Sequence, residues 1–374
     1  MRLRTKILGS LLAIVGAAVA VTLLAIGYDA PCRPAEADQG GKPTMKAVLH
    51  RCYGSADVIT IEDVAKPTPR DGQVLVKVRA VSLNALDSHV LHGDPYIVMR
   101  FAGGIGSPKS PTLGGDFAGM VEAVGRGVTD FMPGDEVFGA GGGTRFTAFA
   151  EYVTVYPAFA TLARKPANVT FEQAAAVPIA ALTALQALRD QGRLRSGQKV
   201  LINGASGGVG TFAVEIAKAL GAEVTGVCST HNVEMVREIG ADHVFDYTRD
   251  DFTTSGERYD LIVDIAASRS LAEYRRVLKP DGIYVIVGAA GRGRWLGPLA
   301  PALKTLAYAP FASAEFVFFI ANMNKPDLRF VAELMEQGKV RPVIDRTYPL
   351  GEIRDAFRYF DEGHARGKIV VTLP

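Results

Sequence analysis

Hydrophobic and polar positions change rhythm three times along the chain. After Arg2, Arg4 and Lys6, residues 7 to 26 form an uncharged, mostly apolar run. At helical rise such a run covers about 30 Å, the thickness of a bilayer core. It predicts an N-terminal transmembrane segment within residues 1–28, whose basic flank points to a cytoplasmic N-terminus. An uncleaved single-pass anchor in the lipid bilayer is the expectation and a cleaved signal the alternative, because the small-residue pattern Ala35-Glu36-Ala37 lies well past the apolar end. Residues 29–44, "DAPCRPAEADQGGKPT", carry no apolar period and read as a linker.

From Met45 onward, short alternating runs such as "QVLVKVRAV" and "FAEYVTV" are separated by Gly and Pro clusters. That is the pattern of an antiparallel, barrel-like β unit, placed at 45–168. Near Phe171 the rhythm changes again. "KVLING" leads into a helix whose apolar face is Val209, Phe212, Ala213, Ile216, Ala217 and Leu220, and strands and helices then alternate. Alternation of this kind predicts an α/β unit with a doubly wound parallel sheet, placed at 169–308. The apolar stretch after Gly293 is broken by Pro298, Pro301 and Pro310, so it cannot be one spanning helix.

Composition narrows the partners. Lys plus Arg number 41 against 39 Asp plus Glu, a balance that gives nucleic acid no electrostatic handle and favours a small-molecule ligand. The three cysteines, Cys32, Cys52 and Cys228, are too few and too scattered for a disulfide framework or a structural zinc lobe.

The chemistry concentrates at Gly204-Ala205-Ser206-Gly207-Gly208-Val209-Gly210, which follows a strand and opens a helix. A dinucleotide pyrophosphate needs a tight turn, closely approaching backbone N–H groups and the positive end of a helix. Glycines supply the first two because they lack a β-carbon. An NAD site places an acid at the end of the second strand to hold the ribose hydroxyls. Here that strand ends Cys228-Ser229-Thr230-His231-Asn232, with no acid before Glu234. A carboxylate would repel the extra phosphate of NADP, so NADPH is the expected cofactor. Cys228 reads as a buried strand residue.

The ordered motifs "NALD", "GGDFAG", "PGDEVFG", "ALTALQAL", "NGASGGVG" and "GKIVV" resemble the medium-chain dehydrogenase/reductase superfamily over residues 45 to 374, and within it the zinc-free quinone oxidoreductase branch. The resemblance implies a GroES-like β-barrel domain built from both ends of the chain, with 309–374 returning to it, wrapped around a Rossmann domain. It also implies a cofactor cleft between the two and a homodimer. It carries the pyrophosphate loop onto Ser206, Gly207, Gly208 and Val209, and the 2′-phosphate site onto Ser229 and Tyr247. His231 stands where close relatives often have Arg or Lys. Thr183 corresponds to a residue against the nicotinamide, with Val287 and Gly288 beside it. "DIAASRS", from Asp264, departs from the pattern usual in the family.

Zinc members of the superfamily hold their metal with a Cys, a His in Gly-His-Glu and a third ligand near the start of the Rossmann half. This chain has Asn84, then Gly115-Asp116, and no Cys or His between Pro157 and Gly204. One carboxylate cannot supply three ligands, so no metal is expected. His89 and His92 read as solvated. Without a Lewis acid, hydride delivery to an electron-poor quinone or conjugated enone is better supported than oxidation of an alcohol. Asn84 is the candidate polar contact for the acceptor, and Asp87 a turn residue that could orient it. Zinc-free enoyl-thioester reductases of the superfamily carry a tyrosine acid near this motif, which makes Tyr96, one residue displaced, and Tyr53 candidate proton donors; packing is the alternative for both. The expected function is a zinc-independent, NADPH-dependent quinone or enone oxidoreductase. The alternatives are an enoyl-thioester reductase and a membrane-tethered, non-enzymatic adaptor that binds NADPH.

Overall fold

The structure is a computed structural model that describes residues 2–34, 41, 43–141, 147–287, 293–297, 299–308 and 314–374; the side chains of 2–14, 302 and 308 are outside that description. Helix α1, Arg2–Gly27, precedes strands β1 (Thr44–His50), β2 (Ile59–Ala65) and β3 (Val74–Ser82). Helices α2 (Ala85–His92) and α3 (Tyr96–Gly103) follow, then strands β4 (Asp116–Val124), β5 (Glu136–Ala140), β6 (Tyr152–Val155) and β7 (Thr161–Arg164). The strands from β3 to β7 join two C-terminal strands, β14 (Ile344–Pro349) and β15 (Lys368–Thr372), in one sheet of order β14-β15-β3-β4-β5-β7, with β6 also on β3. The two ends of the chain therefore meet in one barrel-like sheet, and the β1–β2 pair bridges to it through Leu49–Thr112 and Ala47–Ala150.

Between them, helices α4 (Phe171–Ala175) and α5 (Pro178–Gln186) lead into strands β8 (Lys199–Asn203), β9 (Glu223–Cys228), β10 (His243–Asp246), β11 (Tyr259–Asp264), β12 (Leu278–Ile286) and β13 (Glu315–Phe318). These six run parallel in the order β10-β9-β8-β11-β12-β13. Helices α6 (Gly208–Ala219), α7 (Val233–Glu238), α8 (Leu271–Val277) and α9 (Leu299–Tyr308) lie along this stretch, with α10 (Lys325–Glu336) and α11 (Ile353–Asp361) after it. Side chains alternate across a strand, so both faces of a covered parallel sheet must be apolar. Val200, Ile202, Val263 and Val285 accordingly enter one core with α5 and α6, while Leu201, Ile262, Tyr284 and Ile286 enter another with Tyr274 of α8. Strand order reverses between β8 and β11, which opens a crevice at their carboxyl ends.

The membrane anchor expected from residues 7–26 is overturned, and with it the bilayer contact and the membrane location. Among the described residues no helix is long and apolar enough to cross a membrane. The end of α1 is tied to the protein instead. Ile26 is buried, and Arg100 donates to the Ile26 and Tyr28 carbonyls and pairs with Asp29 at 2.6 Å. A disulfide joins Cys32 to Cys52 just beyond, a pairing the spacing of the cysteines does not reveal.

Candidate active site

The glycine loop sits in the crevice as its sequence predicts. β8 ends at Asn203, and α6 begins at Gly208 with Gly207 as its extended N-cap, so the first N–H groups of the helix face the crevice without intrahelical partners. A β-carbon on Gly210 would overlap the Gly204 carbonyl oxygen, so only glycine lets the helix approach the loop this closely. A β-carbon on Gly207 would have nothing nearer than 3.6 Å, which leaves its outer side open to a ligand.

Around the loop lies a cleft of about 580 Å³. Gly204, Ser206 and Gly207 line its floor and Ser229 and Tyr247 its side. Asn232 ties the parts together, donating to Ser206 Oγ at 3.1 Å and Ser229 Oγ at 3.2 Å, while its own Oδ1 is buried without a partner. His231, Arg269, His364 and Arg366 also face the cleft, and among the described residues no carboxylate does. The residues present thus fit a dinucleotide, with the backbone loop for its pyrophosphate and a cationic wall for further phosphate. Val209 and Gly210 belong to the first turn of α6. Val287 is buried at the end of β12, and its N–H donates to the Asp264 carbonyl at 2.8 Å. Gly288 lies outside the described residues.

Beneath the crevice, the departure at "DIAASRS" has a structural role. Asp264 is fully buried and accepts from Asn203 Nδ2 at 2.8 Å, the Tyr284 hydroxyl at 2.6 Å and the Ala267 N–H at 2.9 Å. Burial raises its carboxyl above the usual range, against those donors. Ile265, Ala266, Ser268 and Arg269 then form the cleft wall.

A second buried polar cluster lies where the two sheets meet. Asn84 caps α2, and its N–H donates to Asp87 Oδ2 at 2.8 Å. Its Nδ2 donates to Asp116 Oδ2 at 2.9 Å, and its Oδ1 accepts from Lys368 Nζ at 2.6 Å. Lys368 also donates to the Leu83 carbonyl at 2.8 Å and stands 4.0 Å from Asp116. Asp116 accepts from Ser82 Oγ at 3.3 Å and from the Ile179 N–H at 3.1 Å, so it holds the first turn of α5. One turn on, Thr183 donates to the Ile179 carbonyl at 2.7 Å. Every charged member is buried. Burial pushes Asp87 up to about 7, with the Asp116 carboxylate adding to the shift, and Asp116 up to about 6, opposed by the Lys368 ammonium. Burial lowers Lys368, opposed by the two carboxylates. Asp87 Oδ1 has no hydrogen-bond partner.

Sequence reasoning finds Asn84, Asp87 and Asp116 one by one and misses Lys368. The available signal is a lysine heading the apolar run "IVV" directly after a glycine, because a charge in that place must be paired.

Tyr53 and Tyr96 gather elsewhere, on either side of the buried Arg100 guanidinium, 5.0 and 3.7 Å from their ring centres. The Tyr53 hydroxyl donates to the Gly104 carbonyl at 2.9 Å; the Tyr96 hydroxyl accepts from Arg294 at 3.3 Å, and its ring packs edge-on against Trp295. Burial raises the Tyr53 hydroxyl and Arg100 opposes it. Tyr53 also lines a largely apolar cavity of about 740 Å³ with Val90, Met99 and Ala102. His89 pairs with Asp94 and His92 with Ser88 and Asp361, on the partly exposed flank of α2.

A barrel-like sheet closed by both chain ends, a parallel sheet with a glycine loop at its switch point and a polar cluster between them define a two-domain, nicotinamide-dinucleotide-dependent oxidoreductase. The chain belongs to the medium-chain dehydrogenase/reductase family. Residues 70–167 match the alcohol dehydrogenase GroES-like domain and residues 239–371 the zinc-binding dehydrogenase family. The chain is 33% identical to a chloroplast envelope quinone oxidoreductase homolog from Arabidopsis thaliana, over 87% of its own length and 98% of the relative's. It is 36% identical to the mitochondrial NAD(P)H oxidoreductase RTN4IP1 of Mus musculus, over 80% and 82%. Its fold matches the quinone oxidoreductase of Coxiella burnetii with a TM-score of 0.75 at 29% identity, covering 89% of this chain and all of that one.

The zinc in the name of the matched family does not fit this polar cluster. Asn84 Oδ1 accepts from Lys368 Nζ and Asp116 stands 4.0 Å from it, so the oxygens a metal would need are already turned to a lysine. Among the described residues no three His, Cys, Asp or Glu side chains group as a metal would require.

Proposed function

We propose that this protein is a zinc-independent NADPH oxidoreductase whose acceptor is a quinone or another conjugated carbonyl. The observation that supports the reading is the cleft around the glycine loop, lined by Ser206, Ser229, Tyr247, Arg269 and Arg366; the buried Lys368–Asn84–Asp116 cluster is joined to it through the bridge from Gly367 to Gly207. When bound, the dihydronicotinamide supplies a hydride, and the acceptor takes it with one further proton from solvent to give the hydroquinone or saturated carbonyl. The chain's own residues bind and orient. Backbone N–H groups of the loop from Ser206 to Gly208 hold the pyrophosphate. Ser229, Tyr247 and the cationic wall with Arg269 and Arg366 receive the 2′-phosphate, consistent with the lack of a carboxylate among the described residues of the cleft. Thr183 on α5 and Val287, directly after β12, receive the nicotinamide. Both Nδ2 hydrogens of Asn84 have acceptors, Asp116 and the Ser82 carbonyl, so water meets the negative charge that develops on the acceptor oxygen. The apolar cavity beside Tyr53 suits a flat, hydrophobic acceptor.

Titration of NADPH fluorescence tests the cofactor assignment. NADPH binds more tightly than NADH, and absence of binding at millimolar NADPH contradicts the reading. The enoyl-thioester alternative is separated by comparing turnover of an enoyl thioester and of a naphthoquinone before and after Tyr96→Phe. The reading requires faster quinone turnover that is insensitive to the substitution. Faster enoyl turnover that Tyr96→Phe abolishes would replace it. NADPH binding without oxidation across a panel of acceptors would instead make the protein an adaptor.

A further inference from the structure

The Cys32–Cys52 disulfide fastens residues 26–34 as a strap across the segment that walls the apolar cavity. The two cysteines are separated by 20 residues, so the bond holds the strap beside the end of β1 where chain connectivity alone would not. The Ala30 N–H donates to the Gly106 carbonyl at 2.9 Å, the Arg33 guanidinium to Ser107 Oγ at 2.8 Å, and the Arg33 N–H to the Arg51 carbonyl at 3.4 Å. Gly103, Pro108 and Lys109, on either side of those contacts, line the cavity, and so does Tyr53, next to Cys52.

Arg100 makes the strap part of the wall's support. Its side chain is buried, and a buried guanidinium needs acceptors for its donors. The strap supplies the Ile26 and Tyr28 carbonyls at 3.0 and 3.1 Å and the Asp29 carboxylate at 2.6 Å, and the Gly93 carbonyl adds one more at 3.2 Å. Met99 and Ala102, on the same helix α3, line the cavity. Without the strap, Arg100 must turn to water for partners, and α3 moves with it. Among the described residues, the cleft around the glycine loop shares no lining residue with this cavity or with the strap. Cys32 is exposed and Cys52 buried, so an incoming thiolate reaches the Cys32 sulfur.

We propose that Cys32–Cys52 is a thiol–disulfide exchange site, whose reduction by a dithiol releases the strap and loosens the acceptor wall. One thiolate of the dithiol attacks the Cys32 sulfur, the S–S bond breaks, and Cys52 leaves as a thiolate that takes a proton. The second thiolate attacks the mixed disulfide, and Cys32 leaves in the same way. The dithiol ends as a cyclic disulfide, and the cysteine pair gains two electrons and two protons. This site goes beyond the proposed function and rests on it only in taking the cavity as the acceptor's.

The test compares the oxidised full chain, the same protein reduced with dithiothreitol, and Cys32→Ser. Hydrogen–deuterium exchange at the Ala30 amide and across residues 99–112 speeds up by about tenfold or more in the reduced protein and in Cys32→Ser, while β8 and β9 exchange as before. With dithiothreitol removed in the absence of air, KM for 1,4-naphthoquinone rises by about 3–10-fold, because the acceptor must now order the wall itself. The NADPH dissociation constant stays unchanged. Equal exchange across 99–112 in the oxidised and reduced proteins would overturn the proposal, as would a disulfide that dithiothreitol leaves intact in the folded chain. Loss of protection in β8 and β9 as well would make the bond a staple of the whole fold and overturn it too. Faster exchange with an unchanged KM would cut the strap off from the acceptor, with the same result. Protein that binds NADPH but reduces no quinone contradicts the proposed function instead, and exchange across 99–112 still decides the role of the disulfide.

Discussion

Two buried carboxylates, Asp264 and Asp116, lie under the same active-site region and are held in opposite ways. Asp264 is surrounded by neutral donors, Asn203, Tyr284 and the Ala267 N–H, with the Tyr274 hydroxyl 2.7 Å from the same Asn203 amide. Asp116 shares its surroundings with the Lys368 amine, a second carboxylate and the Asn84 amide, which also reaches the Ser82 carbonyl at 3.5 Å. The difference separates a carboxyl held by neutral donors from one that faces a buried amine. The Asp264 cluster is fully satisfied, whereas the Asp116 cluster keeps an orphaned oxygen at Asp87.

One substitution made at both places gives the largest contrast. Asp264→Asn turns an amide NH₂ against donors that need an acceptor and should cost roughly 2–3 kcal/mol of stability in chemical denaturation, with turnover per folded molecule retained. Asp116→Asn leaves the buried Lys368 amine without its nearest carboxylate and should cost more, roughly 3–5 kcal/mol. A smaller stability loss at Asp116 than at Asp264 would erase the distinction.

A smaller effect follows from pH. Burial raises Asp87 to about 7 and Asp116 to about 6, so the folded protein holds protons that the unfolded chain releases. Their contribution to stability is full below pH 4 and is lost as pH rises through 6 and 7. Asp87→Asn cannot ionise, so in denaturant melts it should gain on wild type as pH rises from 4 to 7. A constant difference between the two proteins across that range would contradict the raised carboxyl.

The smallest effect belongs to Tyr96. Its ring is held by Arg100 and Trp295, so Tyr96→Phe keeps the packing and loses one 3.3 Å hydrogen bond. Quinone turnover should change by less than about twofold and stability by about 1 kcal/mol or less. A large loss of turnover would move the proton donor from solvent to Tyr96.

How much of this could be read from the sequence depended on whether the interaction is local. The glycine cradle is one contiguous segment between a strand and an amphipathic helix, and its function rests on backbone, so seven residues suffice to predict it. The parallel sheet follows from alternation in the same way. The buried cluster draws its members from positions 84, 116 and 368, and periodicity carries no information about partners that far apart. Asn84 and Asp116 stand out because of what they are not, a cysteine and a histidine, but nothing local pairs Lys368 with them. The N-terminal run shows the opposite failure. Apolar composition alone predicted a span, while the contacts that tie Ile26 to Arg100 and Cys32 to Cys52 depend on distant residues.

The proposed function requires that reduction proceed without a metal. It is tested most directly by measuring NADPH-dependent reduction of 1,4-naphthoquinone by the full chain before and after exhaustive chelation, with the zinc content determined on the same samples. The account predicts unchanged turnover in protein containing substoichiometric zinc. Turnover that disappears on chelation and returns with added zinc would contradict it.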